Sequence, residues 1–223
     1  MANRRQPGKK PRKENKRNAK PSGHLIVSEG VKTEVNYFNG FKEEINRKFE
    51  GTVASYTIDI HGAGKETIRI VEEIEEIRRR SPNIYEHLWA VFDKDDFPAD
   101  HFDNAINMAA AKGIKVAWSN ECIELWFLLH FSYLNTAISR EAYYTKLSAE
   151  LKKRGGPDNY EKSDPILYEL LKPYQSKAIA NAKKLRQNAN PNLPPSKQNP
   201  CTTVDDLVCQ LIEILNRPDE TES

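Results

Sequence analysis

Leu88-Trp89-Ala90-Val91-Phe92-Asp93-Lys94-Asp95-Asp96 is an apolar run that stops abruptly at carboxylates. A run this short and this uniformly apolar predicts a buried strand of the kind found in parallel sheets covered by helices. A second run, Leu25-Ile26-Val27-Ser28-Glu29-Gly30, ends the same way, on an acid and a glycine. Strands of a parallel sheet finish along one edge, and α/β proteins place their ligands at that edge. If both runs belong to one sheet, Glu29, Asp93 and Asp95 converge on one small volume. Three oxygen ligands close together suit a hard divalent cation such as Mg²⁺ or Mn²⁺. The natural customer of such a site is a phosphodiester.

Strand and helix patterns alternate around these runs for about a hundred residues. Residues 24–28 read as the first strand. Residues 33–48 carry Val35, Phe38, Phe41 and Ile45 at helical spacing. Residues 53–60 alternate and are rich in β-branched side chains, which predicts a second strand before the turn at Gly62-Ala63-Gly64. Residues 66–80 repeat at Ile70, Ile74 and Ile77 opposite a charged face, and Ser81-Pro82-Asn83 ends that helix. A strand at 87–92, a helix at 102–112 capped by Gly113, and a strand at 114–118 complete the series. The order βαβαβαβ predicts a doubly wound, mainly parallel, four-stranded α/β sheet. Beyond Ser119 the pattern becomes helical, at 121–131, 140–153, 165–171, 176–187 and 203–216, with a Pro- and Asn-rich loop at 188–200. This divides the chain into a basic arm (1–22), an α/β domain (23–135), a helical C-terminal extension packed on it (136–217) and a short tail (218–223).

Composition narrows the class. With 30% charged residues and mean hydropathy −0.73, the chain reads as a soluble protein. The run Leu125-Trp126-Phe127-Leu128-Leu129 is too short to span a bilayer, and no apolar segment follows the basic start as a secretory signal would require. Cys122, Cys201 and Cys209 are odd in number and form no CxxC pair, so neither a disulfide framework nor a zinc site is expected, and a cytoplasmic location fits. The overall charge of +2 hides an asymmetry: residues 1–20 hold nine Lys and Arg against Glu14 alone, leaving the rest of the chain net acidic. Such an arm, including Arg4, Arg5, Lys9 and Lys10, suits nucleic-acid phosphates; a solubilising leader is the alternative.

The chemistry-bearing residues fall into three clusters. Glu29 followed by Gly30 places an acid where the backbone can turn sharply, although GxxxxGK[ST] spacing is absent. Asp93 and Asp95, as alternate residues of an extended segment, would point the same way and share a cation, with Asp96 assigned to a solvated turn. The third cluster, Ser119-Asn120-Glu121-Cys122-Ile123-Glu124, starts at the same sheet edge, with Asn120 a candidate helix cap. His130 reads as a core histidine. Asp93 and Asp95 would hold metal, and Glu29 would ligate it or act as general base. Lys32 or Lys94 would offset charge on the phosphate. Glu124 is assigned either a second ion or the orientation of Lys32. Lys177, Lys183, Lys184 and Arg186 give one helix a basic face that either tracks a nucleic-acid backbone or is simply solvated.

Glu at the end of the first strand and Asp-x-Asp at the end of the third resemble the signature of the TOPRIM domain. More closely, 26–38, 91–97 and 119–131, with Asn199-Pro200-Cys201-Thr202-Thr203-Val204, resemble the RloB family of prokaryotic defence-associated proteins. One position departs: Glu121 stands where the resemblance leads one to expect proline after Ser119-Asn120. The resemblance implies a TOPRIM-like, Mg²⁺- or Mn²⁺-dependent nuclease in anti-phage or abortive-infection defence, working with an ATPase partner. It also implies a nucleic-acid substrate, RNA and in some relatives transfer RNA before DNA, with oligomer formation left open. The alternative is a non-catalytic binding module for nucleic acid or nucleotide that regulates such an ATPase.

Overall fold

The computed structural model describes residues 23–52, 56–95 and 98–218. The arm with Arg4, Arg5, Lys9 and Lys10, the start of the expected second strand, Asp96 and most of the expected tail lie outside the described residues.

Four parallel strands alternate with three helices: β1 (Gly23–Ser28), α1 (Thr33–Lys48), β2 (Thr57–Gly62), α2 (Thr67–Arg80), β3 (His87–Asp93), α3 (Ala99–Ala111) and β4 (Lys115–Asn120). The sheet order is β2-β1-β3-β4-β5, in which β5 is the two-residue strand Cys201–Thr202. β1 pairs in parallel with β2 on one side and with β3 on the other, in register from His24↔His87 to Ser28↔Val91. The two acid-tipped runs are therefore neighbours, as expected. From β1 the chain moves outward to β2, then crosses back to β3 and β4. The strand order reverses between β1 and β3, which makes the crevice beyond their carboxyl ends the topological switch point of the sheet.

Period-two alternation divides the strand side chains between two cores. Ile26, Trp89, Val91 and Ala117 face one way, against Phe38, Phe41 and Ile45 of α1. Leu25, Val27, Leu88, Ala90 and Phe92 face the other, against Ile70 and Ile74 of α2 and Phe102 and Ala105 of α3. Every residue of β1 is buried because it has a strand on each side and helices on each face.

The remaining helices are α4 (Glu124–Leu129), α5 (Arg140–Lys152), α6 (Leu167–Leu171), α7 (Gln175–Asn188) and α8 (Val204–Leu215). They do not form a core of their own. Trp126, Tyr143, Leu147, Tyr168, Leu207 and Leu211 join the core on the α1 face. Trp126 Nε1 donates to the Tyr37 hydroxyl at 3.0 Å, and Lys48 Nζ donates to the Leu215 carbonyl at 2.6 Å.

Two expectations are corrected. Among the described residues the sheet has five strands, because Cys201–Thr202 pairs antiparallel with the end of β4 through Ser119↔Thr202 and Asn120↔Cys201. A two-residue strand has no periodicity to detect, and it directly follows a segment read as loop. Asn120 does not cap the next helix. Its Nδ2 donates to the carbonyls of Pro195 and Ser196 at 3.3 and 3.1 Å, fastening the 188–200 loop to the sheet edge, and α4 begins only at Glu124.

Candidate functional site

The strand ends at the switch point open into a cavity of about 250 Å³. Five carboxylates line it (Glu29, Glu34, Asp93, Asp95 and Glu124), together with the cations Lys32, Arg140 and Lys162.

Glu29 is the first residue past β1. Its N–H continues the ladder to the Val91 carbonyl at 2.9 Å, and its carbonyl accepts from Gly64 N–H at 3.0 Å, so its backbone is fixed between the ends of β3 and β2. The turn that follows runs hard against β2: a Cβ on Gly62 would stand 2.5 Å from the Val31 Cα and 2.9 Å from the Gly30 carbonyl oxygen. Glycine is required at 62 by this close approach of one backbone to another. The Glu29 carboxyl has one oxygen, Oε2, that is buried without a hydrogen-bond partner. Burial pushes its pKa from 4.5 to about 7, with Glu34 and Asp95 adding to the rise, while the Asp93 backbone and Arg140 act against it.

Asp93 ends β3, and its Oδ2 accepts from Ile123 N–H at 3.0 Å. Desolvation and the neighbouring charges of Glu34, Glu124 and Glu29 push its pKa well above the usual carboxylate range. Asp95 does reach the same cavity, but the extended geometry expected for Asp93-Lys94-Asp95 is absent. The strand stops at Asp93 and the chain turns, with Asp95 at φ 41° in the left-handed region, a conformation that Asp tolerates better than most residues. The turn is tied down by Lys94 N–H to the Ser119 carbonyl at 2.8 Å and Asp95 N–H to the Glu121 carbonyl at 3.1 Å. The Asp95 carboxylate pairs with Arg140 at 2.5 Å.

Glu124 lies buried in the first turn of α4, and its Oε1 accepts from the Tyr160 hydroxyl at 3.0 Å. Burial and Glu124 push the Tyr160 hydroxyl upward, so it stays protonated and serves as the donor. Glu34, in the first turn of α1, is buried and raised, first by desolvation and then by Glu124, with Lys162 opposing. Lys32 is exposed at the rim of the cavity. Lys94 does not line it; its Nζ donates to the Asp95 carbonyl at 3.1 Å. Cys122, beside Glu124 and Asp93, is buried with its thiol pushed up, which removes it as a nucleophile. His130 is buried, with Nδ1 3.0 Å from the Trp126 carbonyl, as a core histidine would be.

The expected basic face of α7 is largely committed elsewhere. Arg186 grips Asp205 of α8 with both terminal nitrogens and also donates to the Thr202 carbonyl. Lys177 donates to the Phe131 carbonyl, and Lys184 sits 4.5 Å from the centre of the Tyr133 ring. Lys183 is exposed. None of the four lines the carboxylate cavity.

A family model described as RloB-like protein matches residues 24–211. The chain belongs to the RloB-like family. No curated protein and no solved structure matches it. The match to this RloB-like chain spans the sheet from the second residue of β1 onward and every helix that contributes to the cavity.

Sequence reasoning missed Glu34, Arg140, Tyr160 and Lys162. Glu34 had a usable signal, since an acid in the first turn of a helix that follows a strand end must lie near that edge. Arg140, Tyr160 and Lys162 had none, because they reach the cavity only through the packing of the C-terminal helices.

A divalent cation can be tested against this donor set. The acids of the lining offer only oxygen donors and outnumber its bases by two, and Glu29 holds an orphaned buried oxygen while Glu29 and Asp93 keep raised carboxyls, all of which a dication would relieve. Among the described residues, no group of three or more His, Cys, Asp or Glu is gathered as a set of metal ligands. Asp95 faces Arg140 and Glu124 faces Tyr160. The residues fit a cation in chemistry and charge, and closing on it requires Asp95 to change partner.

Proposed function

We propose that this RloB-like chain is a divalent-cation-dependent phosphodiester hydrolase acting on nucleic acid, with RNA as the first substrate to test. The observation that carries the reading is Glu29: a carboxyl with an orphaned buried oxygen and a pKa near 7, beside Asp93, at the switch point of a parallel sheet. Acids repelling one another in this way are costly to maintain for the binding of an anion alone, and useful where they hold a cation or move a proton.

Glu29, Asp93 and Asp95 would hold Mg²⁺ or Mn²⁺, which supplies polarisation of the phosphate and a more acidic bound water. Where Asp93 and Asp95 alone hold the ion, Glu29 would instead be suited, with a pKa near neutrality, to accept the proton of the attacking water. Lys32, exposed at the rim, brings positive charge to the mouth, where a phosphodiester would enter. Glu124, fixed by Tyr160, shapes the floor and holds Lys162 by its charge. The family resemblance adds a role in prokaryotic defence with an ATPase partner, which is part of the same proposal.

The second reading, a non-catalytic module, is favoured by the Asp95–Arg140 pair, which leaves the cluster internally balanced on that side. One experiment separates the two. The wild-type chain, alone and with a neighbouring ATPase where one is encoded, is incubated with total RNA, single-stranded DNA and duplex DNA in Mg²⁺, Mn²⁺ or EDTA. Metal-dependent cleavage that falls by orders of magnitude in Glu29→Gln and Asp93→Asn supports the hydrolase. Cleavage undiminished in Glu29→Gln removes the assignment to this cluster. Nucleic-acid binding with no cleavage in any combination leaves the module.

A further inference from the structure

We infer that Arg140 is the residue that grips the substrate phosphate, and that Asp95 holds it in reserve until a divalent cation takes that carboxylate. The inference rests on the phosphodiester reading above and concerns Arg140, which that reading leaves without a task.

Arg140 is the first residue of α5, outside the α/β repeat, yet its side chain enters the carboxylate cavity. Its Nη2 stands 2.5 Å from Asp95 Oδ1, with the two side chains only 28% and 25% exposed. Its Nε is buried without a hydrogen-bond partner. A guanidinium carries five N–H donors in a rigid planar fork, and a phosphate presents oxygens at matching spacing. Leaving a buried donor unmatched is unfavourable, so a ligand that brings a second acceptor to this side of the fork gains more than its charge.

Asp95 is one of the three carboxylates at the strand ends, and Arg140 occupies it as a cation would. The guanidinium and a dication therefore compete for one oxygen pair. Once the dication holds Asp95, the fork is released within the cavity. The strongest acceptor then available to it is an anionic oxygen of the substrate. Lys162 cannot substitute, because Tyr144 and Glu124 already hold its charge.

The test uses the full chain and reads binding rather than turnover. Inorganic phosphate is titrated calorimetrically in EDTA into wild type, Asp95→Asn, Arg140→Gln and the double variant. Asparagine tolerates the left-handed backbone at 95, so the turn survives while its hold on Arg140 is lost. Asp95→Asn is expected to bind phosphate about tenfold more tightly than wild type without metal, the worth of a charge-assisted contact set free. That gain must vanish in the double variant, which separates the arginine from a general change in cavity charge. Arg140→Gln, titrated with Mn²⁺, is expected to bind the metal several-fold more tightly, its competitor having been removed. No gain in Asp95→Asn, a gain that persists in the double variant, or weaker Mn²⁺ binding in Arg140→Gln overturns the proposal. If Asp95→Asn gains phosphate binding but no chain cleaves nucleic acid, the gripping arginine stands and the hydrolase falls. If cleavage depends on Glu29 but Asp95→Asn gains nothing, the reverse holds.

Discussion

Glu29 is where protonation, folding and metal affinity meet. Its folded pKa of about 7 lies above the 4.5 of the free side chain, so between those values the folded chain binds a proton that the unfolded chain does not. Stability contributed by this group is therefore complete below pH 4.5 and is lost as pH rises through 7, up to about 3 kcal/mol in the absence of divalent cation. Denaturant unfolding in EDTA between pH 5 and pH 8 should show this decline, and Glu29→Gln should reduce it, the remainder belonging to the raised carboxyls of Asp93 and Glu34. A pH-independent difference between the two proteins would show that Glu29 does not titrate near neutrality. Glu29, Asp93 and Asp95 were legible because a carboxylate at the end of an apolar run has few purposes other than meeting something at the sheet edge. Arg140 and Lys162 carried no such mark, since a basic residue at a helix start or in a connecting loop is ordinary until its neighbours in space are known.

Elements explain the rest of what could and could not be read. β1, β3 and α1 were legible because burial on both faces or on one stripe writes its period into the sequence. The turn after β3 was misread as extended: alternation places Asp93 and Asp95 on one side of a strand, whereas a left-handed residue at 95 brings them together by bending the chain. β5 was invisible because its two residues are specified by the strand they meet. On α7, the sequence shows a basic face, while the fold spends Arg186 on Asp205, whose side chain is fully buried. Arg186→Met should therefore destabilise the chain by about 3–5 kcal/mol, because it strands a buried carboxylate. A thermal melt checks this. If Arg186 instead tracked a nucleic-acid backbone, the substitution would leave the melting temperature in place and weaken binding.

At the scale of the whole molecule, the α1 face is shared property. Phe38 and Phe41 come from near the start of the described chain, Trp126 from its middle, and Leu207 and Leu211 from its last helix, all in one cluster. The expected boundary near residue 135 marks a change in pattern but not a seam in the packing. A chain cut at 135 should lack a cooperative melt and expose apolar surface to a hydrophobic dye, whereas the full chain should unfold in a single transition. Two separate transitions in the full chain would contradict a common core.

The same arrangement sets an order of events during synthesis. A ribosome delivers Glu29 and Asp93 long before Leu211, and until α8 has emerged the apolar stripe of α1 has no complete cover. Premature termination anywhere before Val204 would leave a nascent product that quality-control proteases can recognise. The arrival of α8 thus decides whether the strand-end carboxylates ever become a formed pocket.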